Sequence, residues 1–197
     1  GMGGAGFPTF IKMNPGPHKP IDLLVINGAE CEPYISCDDM LMRMRPREIL
    51  EGIHILMHSL QIATCVIGIE DNKPEAIAAL EQAVAADHRL GDIRIQAIPT
   101  LYPSGGEKQL IQILTGREVP SQGLPADIGI VCQNPATVAA VYHAIHRNEP
   151  LISRIITVTG AGVQSPSNLE VRIGTPMHHL IEACGGYAPG VDRLLMG

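Results

Sequence analysis

The chain has 197 residues, 45% of them hydrophobic and 17% charged, enough for one domain of ordinary size with a small appendage. Fourteen Lys and Arg against 20 Asp and Glu give a net charge of −6, which argues against general nucleic-acid binding, although backbone N–H groups can still make a local phosphate site. With two Phe, four Tyr and no Trp, base-stacking platforms are disfavoured too, and the core must be built from aliphatic residues and Met.

The opening GMGGAGFPTF is a Gly-rich loop with no strand before it, and reads as the start of a piece of a longer protein. A Pro-rich loop follows over residues 13–20. Residues 21–27 (IDLLVIN) form a continuous apolar run, the pattern of a parallel strand buried on both faces. The stretch NGAECEPYISCDD behind it reads as polar and turn-like. A helix with proline at its start is expected over 46–60, a second buried strand over 63–70, and an Ala-rich helix over 73–87. Residues 92–99 alternate, as a more exposed edge strand does. YPSGGEKQL enters a helix that runs to about Leu114 and stops at Gly116. The fourth strand is expected over 127–133, and Asn134 is expected to cap a helix to Arg147 with Pro135 at its first position. Strands alternating with helices define an α/β fold: an open, mostly parallel sheet with helices on both faces.

Behind residue 150 the pattern changes to two strands joined by a Gly/Ser/Pro/Asn turn. A short helix follows over 177–184, ended by Gly185-Gly186. The expected division is therefore 1–150 and 151–197. The five cysteines (Cys31, Cys37, Cys65, Cys132, Cys184) contain no C-x-x-C spacing and read as reduced thiols, not as ligands of an iron–sulfur cluster held by this chain. No apolar run is long enough to span a bilayer.

Three loops at the carboxyl ends of strands carry the candidate chemistry, since ligands of open α/β sheets bind at that edge. In Asn27-Gly28-Ala29-Glu30-Cys31-Glu32-Pro33, an amide and two carboxylates suit hydroxyl and amide groups; a solvated loop is the alternative. In Tyr102-Pro103-Ser104-Gly105-Gly106-Glu107, the two glycines are expected to set bare N–H groups at a helix N-terminus, although an ordinary strand-to-helix turn has the same composition. Asn134-Pro135-Ala136-Thr137 is the third such turn. Gly1, Gly3 and Gly6 satisfy G-x-G-x-x-G, but without a preceding strand and a long following helix this is not a dinucleotide fingerprint. It leaves a loop whose backbone can approach a phosphate or a flat ring, or a plain stub. His54 and His58 sit one helical turn apart, yet no nearby acid or thiol completes a metal set, so a half-exposed helix face accounts better for them. There is no nucleophile elbow.

Taken together, GMGGAGFPTFIK, INGAECEPYISCDD, YPSGGEKQLIQILTGREVP and GIVCQNPATVAAVYHAI resemble the C subunits of Rnf-type ion-translocating electron transport complexes over essentially the whole chain. The wider group includes the NADH- and FMN-binding subunit of respiratory complex I and a cobalamin reductase of microcompartments. The resemblance implies a Rossmann-like flavin domain that holds FMN non-covalently, accepts hydride from NADH and passes electrons to iron–sulfur clusters carried elsewhere in the full-length protein. It also implies other subunits of a membrane complex as partners, and a peripheral position on the cytoplasmic face of the inner membrane with no direct insertion. By the same resemblance Gly1, Gly3, Gly4 and Lys12 fall on the FMN loop and Phe7 near the nicotinamide pocket. Asn27, Glu30 and Glu32 fall on the second motif, Gly105, Gly106 and Glu107 on the third, Asn134 and Thr137 on the fourth. VTGAGVQSPSNLEVRIGTP resembles the soluble-ligand-binding β-grasp module of the same group. Ala29 stands where complex I has Asp, Gly106 where it has Glu, and Pro15 near a second aromatic, so the polar contacts to a flavin differ here. A docking module without flavin, or a cobalamin-reducing relative, are the alternative readings.

Overall fold

A computed structural model describes residues 6–16, 18–89 and 91–196. The chain runs α1 (Thr9–Lys12), β1 (Leu23–Asn27), α2 (Cys37–Met44), α3 (Pro46–Leu60), β2 (Thr64–Glu70), α4 (Pro74–Ala85), β3 (Asp92–Ile98) and α5 (Glu107–Thr115). After a 3-10 turn (Pro125–Ile128) come β4 (Ile130–Gln133), α6 (Pro135–His146), β5 (Ser153–Val158), β6 (Ser167–Arg172) and α7 (Met177–Ala183).

The first four strands make one parallel sheet in the order β3-β2-β1-β4. Apolar residues point to both faces of β1, which is why its sequence does not alternate. Leu24 and Ile26 face α2, α3, α4 and α6, in a core that includes Met42, Ile49, Ile53, Ile67 and Leu80. Leu23 and Val25 face Leu110 and Ile111 of α5 on the other side. Each fully buried Ile or Leu contributes roughly 1.5–3 kcal/mol. β3 alternates because it is an edge strand, as its sequence indicates.

Two elements depart from the sequence reading. The stretch ending CDD is not wholly a turn, because α2 begins at Cys37. Its first-turn amides are accepted from a distance: Asp38 N–H donates to Glu30 Oε1 at 2.7 Å and Asp39 N–H to Glu30 Oε2 at 3.1 Å. Ser36, at the N-cap position, makes no side-chain cap. The fourth strand starts at Ile130 rather than at residue 127, since Asp127 accepts the Leu124 N–H at 2.7 Å and Gly129 turns the chain with φ +79°. Elsewhere boundaries move by a residue or two, and Asn134 caps α6 as expected, its side chain accepting from Ala136 N–H at 2.9 Å.

β5 and β6 form a separate antiparallel pair, packed with α7 around Val158, Val163, Leu180, Ile181 and Cys184. This unit is tied to the segment just before α2. Ser36 N–H donates to Thr157 Oγ1 at 3.1 Å, and Asn168 Nδ2 donates to Ser36 Oγ at 3.1 Å. All five cysteines are free thiols. Among the described residues no helix is long and apolar enough to cross a membrane.

Candidate functional site

The strand order changes direction at β1. β2 and β3 lie to one side of it and β4 to the other, so the adjacent carboxyl ends of β1 and β4 are a topological switch point, where open α/β sheets leave a crevice for ligands. The motif residues distant in sequence converge there. Lys12, at the end of α1, bonds the Glu107 carboxylate at the start of α5, and its Nζ also donates to the Cys132 carbonyl of β4 at 2.9 Å. Asn27, at the end of β1, donates from Nδ2 to the Gly105 carbonyl at 2.8 Å and accepts the Ala29 N–H at 3.2 Å. The end of α1, the β1 end, the β3–α5 turn and β4 are thus joined at one edge.

The glycines of the third motif act differently from the sequence expectation. Their N–H groups are not bare. Gly105 N–H donates to Cys31 Sγ at 2.8 Å and Gly106 N–H to the Pro103 carbonyl at 2.8 Å. Gly105 is needed for close approach, because a Cβ there would lie 2.6 Å from Cys31 Sγ and 3.2 Å from Ala29. The turn is pulled down onto the β1 loop, and this contact consumes the donors that an anion site would have used.

Glu30 also has an internal role. Its carboxylate, only 3% exposed, takes the two α2 amides and a 2.7 Å bond from Lys73 Nζ. Its own N–H donates to Glu70 Oε2 at 3.2 Å, and Glu70 is buried at the end of β2. Asp38 is half-buried beside this group and receives a hydrogen bond from Asn134 Nδ2. Burial, with Glu30 nearby, pushes the Asp38 carboxyl up from 3.8 to about 6, against the opposing effect of the Asn134 hydrogen bond. Desolvation likewise pushes the neighbouring Cys37 thiol up to about 11, which keeps it protonated at neutral pH.

Glu32 is exposed and lines a cavity of about 310 Å³ at the ends of β1, β2 and β3, together with Tyr34, Lys73, Leu101 and Tyr102. Phe7 is exposed beside α1, Asn134 is half-buried and Thr137 is buried in the first turn of α6. Gly1, Gly3 and Gly4 lie outside the described residues. His54 is occupied elsewhere, its Nε2 bonded to Asp87.

One residue of the site was read from sequence only as the end of a strand. Gln133 is 3% exposed at the carboxyl end of β4, and its Nε2 has no hydrogen-bond partner among the described residues. A buried amide donor without an acceptor costs about 1–3 kcal/mol, so natural structures nearly always supply one. FMN is rich in such acceptors, in its phosphate, its ribityl hydroxyls and its ring carbonyls. The orphaned Gln133 donor suits such acceptors, and the Lys12 ammonium, held on the Cys132 carbonyl, suits a phosphate; the cavity flanked by two exposed tyrosine rings is a separate feature that neither residue lines.

The Nuo51 FMN-binding domain family matches residues 1–143 and the SLBB domain residues 155–195. The chain therefore belongs to the Nuo51 FMN-binding domain family, with an SLBB domain behind it. Among individual proteins it is similar to the C subunits of ion-translocating oxidoreductase complexes. It is 56% identical over 200 residues to the one from Pseudomonas aeruginosa, 50% over 196 to that of Erwinia tasmaniensis and 47% over 198 to that of Rhodobacter capsulatus. Each match covers 100% of this chain but only 25%, 24% and 38% of those proteins, so the chain spans between about a quarter and two-fifths of their length. An NAD+-reducing NiFe hydrogenase in its H2-reduced state shares the fold, with a TM-score of 0.78 at 21% identity over 91% of this chain and 36% of that one.

Proposed function

We propose that this chain is the FMN-binding, NADH-oxidising part of a membrane-associated, ion-translocating electron transport complex. Its electrons pass to iron–sulfur clusters held outside these residues, and it sits peripherally on the cytoplasmic face among partner subunits. The division near residue 150 separates the flavin domain from the SLBB module. The observation that carries this reading is the convergence of four distant segments on the β1/β4 switch point, with the orphaned Gln133 donor among them. The family match and the ion-translocating oxidoreductase relatives support it.

When bound, FMN supplies acceptance of a hydride and release of electrons to the next carrier. The chain's own residues supply binding and orientation, which is most of what such a reaction asks of a protein. Lys12 and the N-terminal turn of α6 offer positive character to a phosphate on the β4 side. On the β1/β2 side, Glu30 and Glu70 lie together and disfavour a phosphate there. Tyr102 and Glu32 line the space left for flat or hydroxyl-bearing groups. Glu107 holds the Lys12 ammonium in place.

Titration with FMN, followed by flavin fluorescence and then by NADH bleaching of the flavin absorbance band, tests this. Saturable binding, weakened in Lys12→Ala, followed by bleaching is the expected result. Binding without bleaching removes NADH as the donor, and absence of FMN binding removes the flavin assignment.

A further inference from the structure

A groove of about 830 Å³ lies away from the carboxyl edge, between the α2–α3 junction and the C-terminal end of α6. Arg43, Arg45 and Arg47 line it from the junction, and Tyr142, His146 and Arg147 from α6. Four arginines on one groove are a marked concentration in a chain of net charge −6.

The two acids that share the groove have their charges answered. Glu48 takes His143 Nε2 at 2.8 Å and Arg147 Nη2 at 3.0 Å. Glu51 takes both its bonds from Arg89, at 2.7 and 2.9 Å. The guanidinium groups are only partly engaged by protein acceptors. Each has five N–H donors and no acceptor. Arg45 has one bond, to Glu170 at 2.6 Å, and Arg43 reaches Asp39 only at 3.5 Å. Arg147 gives one nitrogen to Glu48 and lies 5.3 Å from the centroid of the Tyr142 ring. Among the described residues Arg47 forms no ion pair with a carboxylate. Beside these donors the groove offers apolar surface, namely the Tyr142 ring and Met44, which is 70% exposed.

We propose that this groove docks an acidic segment of a partner polypeptide, with its carboxylates on the arginines and an apolar side chain against Met44 and Tyr142. Arginine in place of lysine suits paired hydrogen bonds to carboxylates. The concave shape and the acidic charge of the remaining surface disfavour an anionic membrane, which would meet a whole flat face. The volume exceeds what a single phosphate fills. This surface is separate from the flavin edge, so the inference does not depend on the flavin assignment.

The test is fluorescence anisotropy of a labelled peptide of alternating Glu and Leu, titrated with the full chain. Saturable binding is expected, weakened by added salt and lowered on the order of tenfold or more by Arg43→Ala with Arg47→Ala. The matching Lys and Leu peptide should not bind, and Arg94→Ala, on the distant β3 edge, should leave affinity unchanged. Should the double variant fail to fold, Arg47→Gln alone serves, since it breaks no ion pair among the described residues. Absence of saturable binding, or affinity unchanged in the arginine variants, overturns the proposal. Arginine-dependent binding of phosphatidylserine vesicles without peptide binding would replace it with a membrane contact.

Discussion

Replacing Asp38 by Asn should stabilise the protein at neutral and higher pH and do so less and less on acidification. Asp38 is half-buried in the first turn of α2, and desolvation there holds its carboxyl at about 6 against an ordinary 3.8. A shift of about two units at roughly 1.4 kcal/mol each makes the ionised form cost about 3 kcal/mol in the fold. The α2 N-terminus returns about 0.3–1 kcal/mol of this, which leaves about 2 kcal/mol. Below about pH 4 the carboxyl is protonated both folded and unfolded and carries no penalty. Between about 4 and 6 the folded chain keeps a proton that the unfolded chain has lost, so stability from this group falls as pH rises through the window. Asn keeps an oxygen to accept from Asn134, so the hydrogen bond survives the change. Urea unfolding followed by circular dichroism, suited to a chain without Trp, should give a variant more stable by about 2 kcal/mol at pH 8, with the gain gone near pH 4. An equal gain at both ends of that range, or none at pH 8, would refute burial of the charge as the cause.

Three further outcomes follow from contacts in the same region. Lys73→Ala strips the ammonium from the 3%-exposed Glu30 carboxylate and should cost about 3 kcal/mol in urea unfolding, at the lower end for a broken buried pair because two α2 amides remain. Gly105→Ala puts a methyl 2.6 Å from Cys31 Sγ, and should lower stability by about 1–3 kcal/mol while weakening FMN in the same titration. Gly52→Ala places a Cβ 2.2 Å from the Val138 carbonyl where α3 meets α6; the loss should be about 2 kcal/mol or more in thermal melting.

The strands buried on both faces were legible from their uninterrupted apolar runs, and β3 from its alternation, because burial on one or two faces writes itself directly into residue order. The α6 cap was legible because its donor and acceptor, Asn134 and Ala136, are two residues apart. The likeness to the flavin-binding group could be read in four motifs, but not how they use their atoms. α2 escaped notice because its cap comes from Glu30, across a turn, and its buried face is only Leu41 and Met42. The glycines at 105 and 106 looked like free anion donors until the turn folded onto Cys31 and Pro103. Lys12 and Glu107, 95 residues apart, meet only because β4 lies next to β1, and Gln133 stands out only once burial has removed water from its amide. The sequence by itself determined which segments become strands and helices, since that depends on neighbours within a turn or two. Tertiary structure alone decided which polar groups remain open to a ligand, because satisfaction of a buried donor depends on what is near it in space.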